Sequence, residues 1–262
     1  MFRRASWFFL LAVSATKIYS QPDWLIENSS YGAKVARSAD KSEIVLDNGL
    51  VRRAFRISPN AACTDYRNLS NGQQLLRAIK PEAKVIINGI EYAIGGLHGQ
   101  TENAYLLPSW INQFHADTAD FTLDTTMTGE LQPFISWKQS TWASNPRQPT
   151  GKMLVMEFRS SVPVMHDIVV SVHYELYDGI PLMIKWVSVE NKSNHSITVN
   201  RVVNEELALV EEESAVVGTP EQMKKQHGIY VETNYAFNNA MRYDISDQTT
   251  HWKTDTVYTS QV

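Results

Sequence analysis

The stretch Ile168–Asn191 of this chain, IVVSVHYELYDGIPLMIKWVSVEN, decides the fold. Side chains of a β-strand alternate between the two faces of its sheet, so apolar residues at every second position share one face. Asp178-Gly179 then supplies turn chemistry, because Asp bonds its own backbone and Gly accepts positive φ. The stretch therefore predicts two long antiparallel strands, Ile168–Tyr177 and Leu182–Val189, as in a large β-sandwich. The period-two residues of the first strand are Ile168, Val170, Val172, Tyr174 and Leu176.

Two Asn-Gly dipeptides predict further tight hairpins. Asn48-Gly49 and Asn88-Gly89 each lie between short apolar runs, and Asn-Gly in that position is the strongest short-range signal of a hairpin. Both fall in the first hundred residues, which favours an antiparallel β arrangement. The other strands that the apolar pattern predicts are Ile44–Leu46, Leu50–Ile57, Val85–Ile87, Ile90–Ile94, Phe121–Met127, Met153–Phe158, Ile197–Val210 and Ile229–Thr233.

Helices are expected to be minor. Pro108 can open a short helix with Trp110 and Phe114 on one face, four residues apart. A second short helix is predicted after Thr219, where Pro220 suits the first turn. We therefore predict an all-β fold, an antiparallel two-sheet sandwich with minor short helices.

The sequence of Tyr174–Asn191 resembles that of the N-terminal β-supersandwich domain of α-galactosidase-like (melibiase-type) glycoside hydrolases. In that family a strand ending in Tyr-Asp/Glu-Gly-x-Pro returns through a Lys/Arg-Trp-Val/Leu strand to a terminal Asn. The resemblance implies a galactose-mutarotase-like supersandwich, and it does not by itself imply catalysis by this chain. Other segments match the same pattern in the same order: Asp47–Ala61, Leu75–Tyr92, Gly95–Gln100, Ala104–Trp110 and Pro133–Lys138.

The length and the charge of the chain limit the classes of domain and partner that we expect. The mature chain is long enough for one large all-β domain but too short to add a (β/α)8 barrel, which needs roughly 250 residues. The net charge of −4 is spread along the sequence, so no basic surface for nucleic acid is expected. The family resemblance implies two partners, a carbohydrate and a catalytic (β/α)8 barrel in the same or a longer chain.

The N-terminus has the pattern of a secretory signal peptide. Arg3 and Arg4 precede the apolar run Trp7–Ala15, and cleavage is predicted near Ser20–Gln21. The apolar run is too short to cross a bilayer as a mature anchor, although an uncleaved signal anchor is the alternative. We expect a secreted or periplasmic protein with no membrane span in its mature form. Residues 1–20 are the signal, residues 21–42 an irregular leading arm, and residues 43–262 the β-supersandwich domain, with truncation at its C-terminus left open.

No catalytic residue is predicted in this chain. Glycoside hydrolysis by the common routes needs two carboxylates that flank the scissile bond. In the family that the chain resembles, both are aspartates at barrel strand ends, and no such motif is found here. Acidic residues such as Asp65, Asp117 and Asp178 fit turn chemistry instead. The acidic run Glu205, Glu206 and Glu211–Glu213 is expected at a solvated strand end.

No metal site and no cofactor are predicted either. The histidines lack the His-x-His and His-Glu-x-x-His spacings of metal sites. Cys63 is the single cysteine, so no internal disulfide forms. Its neighbours Ala61, Ala62 and Thr64 include no activating group, so we expect a buried thiol that behaves as a small apolar residue.

Aromatic residues are the candidates for sugar contact, because sugar rings pack their C–H faces on aromatic planes. Trp142 lies in the polar, proline-rich segment TWASNPRQPTG, which favours a stiff surface loop. Trp110 is the reserve candidate, and Tyr105 lies in the same segment. The alternative interpretation makes Trp110, Trp137 and Trp186 core residues, since Trp is highly buried on average.

The glycine-rich segment Gly95–Gln100, GGLHGQ, is not a phosphate loop, because no Lys-Ser/Thr follows it. A loop that allows close backbone approach, with His98 or Gln100 directed at a ligand, is one interpretation, and an irregular turn is the other. Two further functions stay open. A mutarotase-type sugar epimerase would need an acid and a base, usually His and Glu, that converge in a cleft. His173 and Glu175 share a strand face, which places them side by side rather than across a sugar ring. A structural or adhesive surface β-sandwich would need neither.

Overall fold

The computed structural model describes residues 23–101, 104–136 and 148–210, with residues 229 and 231. Within that part of the chain it is almost entirely β, with two short 3₁₀ helices, Pro108–Gln113 and Pro163–Met165. The strands are β1 (Lys34–Arg37), β2 (Glu43–Asp47), β3 (Val51–Arg56), β4 (Ala62–Asn68), β5 (Gln73–Gln74), β6 (Leu76–Ala78), β7 (Ala83–Ile87), β8 (Ile90–Ile94), β9 (Phe121–Glu130), β10 (Gly151–Ser160), β11 (Ile168–Tyr177), β12 (Met183–Asn191), β13 (Val199–Val203) and β14 (Ala208–Leu209).

Two antiparallel sheets make up the fold. One has the strand order β1-β2-β3-β4-β5, and the other has the order β12-β11-β10-β9-β8-β7-β13. A single parallel contact, Ile94 opposite Phe121, joins β8 to β9. A small third sheet pairs β14 with β6. The predicted all-β, antiparallel two-sheet architecture with little helix is confirmed.

The long hairpin forms as its sequence predicts. β11 pairs with β12 from Ile168 opposite Asn191 to Leu176 opposite Met183. Gly179 in the connection has a φ of 76°, which explains the glycine there. The turn is also tied to the chain before β1, since the backbone N–H of Ala33 donates to the Asp178 side chain (2.6 Å).

The core lies between the two sheets and follows the period-two pattern. Ile44, Leu46 and Phe55 face it from the five-stranded sheet, and the predicted inward side of β11 faces it from the other. The rings of Phe55 and Tyr174 meet across the interface at 4.9 Å between centroids.

The seven-stranded sheet curls until its edge strands approach each other. The side-chain amide of Asn204, just after β13, donates to the carbonyl of Lys185 in β12 (3.1 Å). The side chain of Lys185 in turn reaches Glu205 (2.8 Å). The sheet is therefore nearly closed, and polar side chains join its two edges.

Several expectations differ from the structure. The arm at residues 21–42 was expected to be irregular, but it contains β1, which pairs with β2. The single strand expected over Ile197–Val210 is divided into β13 and β14, because Glu205 between them turns toward buried cations. The helix at Pro108 is a 3₁₀ helix. The predicted signal, the helix after Thr219 and nearly all of the strand Ile229–Thr233 lie outside the described residues.

The described residues include no helix that is long and apolar enough to span a membrane.

Candidate functional site

A cleft of about 860 Å³ lies on the face of the five-stranded sheet that points away from the core. β2, β3, β4 and β5 form its floor, and the segment around the 3₁₀ helix Pro108–Gln113 forms a wall. Its principal lining residues are Glu43, Arg52, Ala54, Thr64, Asp65, Arg67, Asn71, Gln73, Gln74, Leu76, Tyr105, Leu106, Pro108, Ile111 and Val210.

Strand alternation explains why polar groups line this floor. In β3, Val51 and Phe55 point into the core, so the residues between them, Arg52 and Ala54, point outward. The register between β3 and β4 shifts between Ala54 and Phe55, so Ala54 faces Asp65 while Phe55 faces Cys63. The extra residue of this β-bulge re-aims its neighbours, and Thr64 and Asp65 both border the cleft.

Asp65 is the centre of a polar cluster on the floor. One of its carboxylate oxygens accepts hydrogen bonds from Arg67 Nε (2.8 Å) and Gln74 Nε2 (2.6 Å). Its other oxygen lies 3.7 Å from Arg52 Nε. Gln74 is held in place because its own oxygen accepts from the backbone N–H groups of Tyr66 and Leu76. These planar polar groups therefore present fixed hydrogen-bonding edges to the cleft.

Tyr105 supplies an aromatic surface on the wall. The residue is 47% exposed, and the guanidinium of Arg77 lies 4.8 Å from its ring centroid. Arg77 itself is almost buried. Tyr105 thus combines a cation-supported ring with access to the cleft.

Gln100 supports this wall through the backbone. Its amide donates to the carbonyl of Ala104 (2.8 Å), and its oxygen accepts from the N–H of Ile79 (2.9 Å). These contacts fix the start of the segment that carries Tyr105. Gln100 is not among the residues that border the cleft.

His98 lies apart from the cleft. Its Nε2 is 2.7 Å from the Asp120 carboxylate, and its backbone pairs with that of His115. The glycines before it do permit a close backbone approach, but to the chain itself. A Cβ on Gly95, whose φ is 68°, would lie 2.5 Å from the carbonyl oxygen of Ala61.

The tryptophans that were interpreted from the sequence lie in different surroundings. Trp110 is half-buried and packs with Phe114 against a small apolar cluster of Ala62, Ile79 and Leu97. Trp186 stacks on His173 at 4.6 Å and on Phe134 at 4.7 Å between ring centroids. Trp137 and Trp142 lie outside the described residues.

The pair His173 and Glu175 shares a strand face as predicted, but both side chains have structural partners. Glu175 is fully buried and accepts hydrogen bonds from the Phe134 N–H (2.7 Å) and the Tyr177 hydroxyl (2.6 Å). His173 bonds the Ser188 hydroxyl (3.0 Å), and burial lowers its pKa. Neither residue borders the cleft.

A buried ionic network joins the two sheets, and its members were not recognised as a group from the sequence. The guanidinium of Arg53 is buried and forms a two-pronged hydrogen bond with Glu205 (2.7 and 3.1 Å). Lys185 also binds Glu205 and donates to the backbone carbonyl of Glu82. The Glu82 carboxylate accepts from the Tyr174 hydroxyl and from the Cys63 N–H (2.7 Å).

The protonation equilibria of this network follow from its burial and charges. Burial alone would raise the pKa of Glu205, but Arg53 and Lys185 outweigh it and hold that pKa below its ordinary value. Burial raises the pKa of the Cys63 thiol to about 12. Glu205 does lie just after β13, but its side chain is only 28% exposed, because its carboxylate neutralises two cations that the fold brings inward. The sequence feature that could have indicated this network is Arg53, which occupies an inward position of β3 between Val51 and Phe55.

Within the part of the chain that the structure describes, no three His, Cys, Asp or Glu side chains are placed to hold a metal ion together.

Comparison with known proteins shows a distant structural relationship. No protein-family model matches the chain, and no curated protein matches it. Among solved structures, the chain is similar to the GH36 alpha-galactosidase AgaB from Geobacillus stearothermophilus, at 12% identity and a TM-score of 0.36. The similarity covers 63% of this chain and 24% of that one, so the chain spans about a quarter of that enzyme's length.

Proposed function

We propose that this chain is a non-catalytic, carbohydrate-binding domain of a longer secreted glycoside hydrolase of the α-galactosidase type. The sequence segments that resemble that family's supersandwich, in the same order, support the family. The hydrolytic step then belongs to a (β/α)8 barrel elsewhere in the parent protein.

The single observation that carries the binding role is the cleft above β2 to β5. Its volume of about 860 Å³ falls within the range of small-molecule sites. Arg52, Asp65 and Gln74 offer planar groups that can engage neighbouring hydroxyls, and Tyr105 offers an aromatic surface for sugar C–H groups. This combination of hydrogen-bonding edges and a ring suits a saccharide.

The same geometry supports a binding role rather than hydrolysis. Asp65 is engaged by Arg67 and Gln74 on one oxygen and faces Arg52 with the other. Asp65 is better suited to orient its neighbours toward a ligand.

Titration calorimetry of the purified chain with a panel of galactosides and related oligosaccharides tests this function. Tyr105→Ala should weaken sugar affinity about three- to tenfold, since an aromatic contact contributes about 0.5–1.5 kcal/mol beyond its buried area. Phe134→Ala is the matched control, because Phe134 is 54% exposed but lies outside the cleft. Trp142→Ala tests the aromatic that the sequence favoured.

Two results would count against the proposal. Absence of binding to every sugar would leave the structural or adhesive alternative. Interconversion of anomers by the purified chain would instead favour the mutarotase-type enzyme.

A further inference from the structure

Arg52 and Arg67 lie directly opposite each other on β3 and β4. Like charges in directly opposed positions of an antiparallel pair destabilise a sheet. Both side chains border the cleft, and they are 40% and 50% exposed. A protein retains such a pair at a stability cost unless something neutralises it.

One carboxylate serves both guanidinium groups. Asp65 accepts a hydrogen bond from Arg67 Nε, but its distance of 3.7 Å from Arg52 Nε exceeds hydrogen-bond length. Among the described residues, Asp65 is the only ion-pair partner of Arg52. The terminal N–H groups of Arg52 therefore keep their capacity to donate.

Two other acidic residues, both on β2, lie near this floor, and among the described residues neither forms an ion pair with Arg52 or Arg67. Asp47 is opposite Arg52 on β2, but one of its oxygens already accepts the Gly49 N–H (2.7 Å). Glu43 lies four residues farther along β2, about 13 Å away at the usual rise of a strand. Glu43 is opposite Arg56, so it faces a cation of its own. At this end of the cleft, the guanidinium groups of Arg52 and Arg67 therefore share Asp65 as their one ion-pair partner among the described residues.

We infer that the cleft selects saccharides that carry an anionic group, a uronate carboxylate or a sulfate, placed between Arg52 and Arg67. This inference rests on the carbohydrate-binding function proposed above and names its ligand class. Planar guanidinium groups match the oxygens of both anions and form strong charge-assisted hydrogen bonds with them. The sugar ring then extends toward Tyr105.

Calorimetry with three matched oligosaccharides tests the inference: an oligogalacturonate, the neutral galactose oligomer of equal length and its sulfated form. The wild-type chain should bind an anionic form about tenfold tighter than the neutral form. Arg52→Gln should remove that preference, because it weakens binding of the anionic form about tenfold more than binding of the neutral form. The stronger of the two anionic ligands identifies carboxylate or sulfate as the group preferred.

Two further variants separate local recognition from general effects. Arg159→Gln removes the same charge from the other sheet, where Arg159 pairs with Asp124, and it should keep the preference. Arg52→Lys keeps the charge but loses the planar fork, so it should retain only part of the preference. If Arg52→Gln melts at a much lower temperature than wild type, its affinities are set aside. The affinities of Arg52→Lys for the anionic and neutral sugars then decide whether Arg52 recognises the anion.

The outcomes distinguish this inference from the function on which it rests. Equal binding of neutral and anionic sugars, unchanged in Arg52→Gln and Arg52→Lys, would overturn the anionic ligand and keep the carbohydrate site. Loss of the preference in Arg159→Gln as well would overturn the local site in favour of long-range attraction. If none of the three sugars binds, the proposed function itself fails.

Discussion

At the scale of single residues, burial controls the chemistry of Cys63. The thiol is almost fully buried, and its burial, with Glu82 and Glu205 nearby, raises its pKa to about 12. A thiolate is the reactive form of cysteine, and at pH 8 a thiol with that pKa is ionised in about one molecule in ten thousand. The sequence predicted an inert thiol from its apolar neighbours, and in the structure burial, together with Glu82 and Glu205, outweighs the charge of Arg53, which alone would favour the thiolate.

We predict that Cys63 in the folded protein does not react measurably with a thiol reagent at pH 8 within minutes. The same reagent should label one thiol per chain rapidly in denaturant, and Cys63→Ala should abolish that signal. Time-resolved absorbance after addition of an aromatic disulfide is the measurement. Rapid labelling of folded protein would show that the thiol is accessible and ionised.

At the scale of elements, the two Asn-Gly turns use their asparagines differently. Asn88 has a φ of 52°, as a tight hairpin turn requires. Asn48 is buried instead, and its amide donates to the carbonyls of Tyr177 and Ile180 (both 2.8 Å). Its oxygen accepts from two backbone N–H groups of its own turn. Asn48 therefore joins the β2–β3 turn to the long hairpin.

We predict that Asn48→Ala destabilises the protein by about 2–4 kcal/mol, since it leaves several buried backbone groups without partners. Asn88→Gly is the control, because glycine accepts the same positive φ and only the exposed bond to the Thr198 N–H (2.8 Å) is lost. That variant should lose about 1 kcal/mol or less. Unfolding midpoints in urea measure both, and equal losses would contradict the joining role of Asn48.

The observed strands also show which sequence patterns were sufficient to predict strand positions. Period-two alternation placed β8 and β11 at their observed bounds. β4, with the sequence ACTDYRN, was missed because the bulge at Thr64 breaks the alternation. Tyr105 is an aromatic candidate in the sequence, but its place on the same cleft as Asp65 depends on a segment whose Leu106 N–H donates to the carbonyl of Arg77 in β6 (2.8 Å). Such non-local juxtaposition has no local sequence signal.

At the scale of the whole molecule, the ionic network acts between sheets. Arg53 comes from the five-stranded sheet, Lys185 from β12 and Glu205 from the chain after β13. Arg53 and Glu205 are 152 positions apart in sequence, so their pairing requires the finished fold. Removing one partner of a buried ion pair leaves an uncompensated charge, which costs about 3–5 kcal/mol. The network thus makes closure of the seven-stranded sheet and its packing on the other sheet depend on each other.

We predict that acid destabilises the whole protein partly through Glu205. Its folded-state pKa lies below the ordinary value of 4.5, so the unfolded chain binds its proton at higher pH than the folded chain does. The stabilisation is therefore fully present above pH 4.5 and is lost as the pH falls through the lower, folded-state pKa. Glu205→Gln should melt at a lower temperature than wild type at pH 7, and its melting temperature should fall less between pH 5 and pH 3.

Glu130→Gln is the control, because Glu130 pairs with Lys152 on the solvent-exposed surface and exposed pairs contribute little. Calorimetric melting temperatures across that range measure the effect, and parallel curves for wild type and Glu205→Gln would show that the carboxylate is not the acid-sensitive link between the sheets.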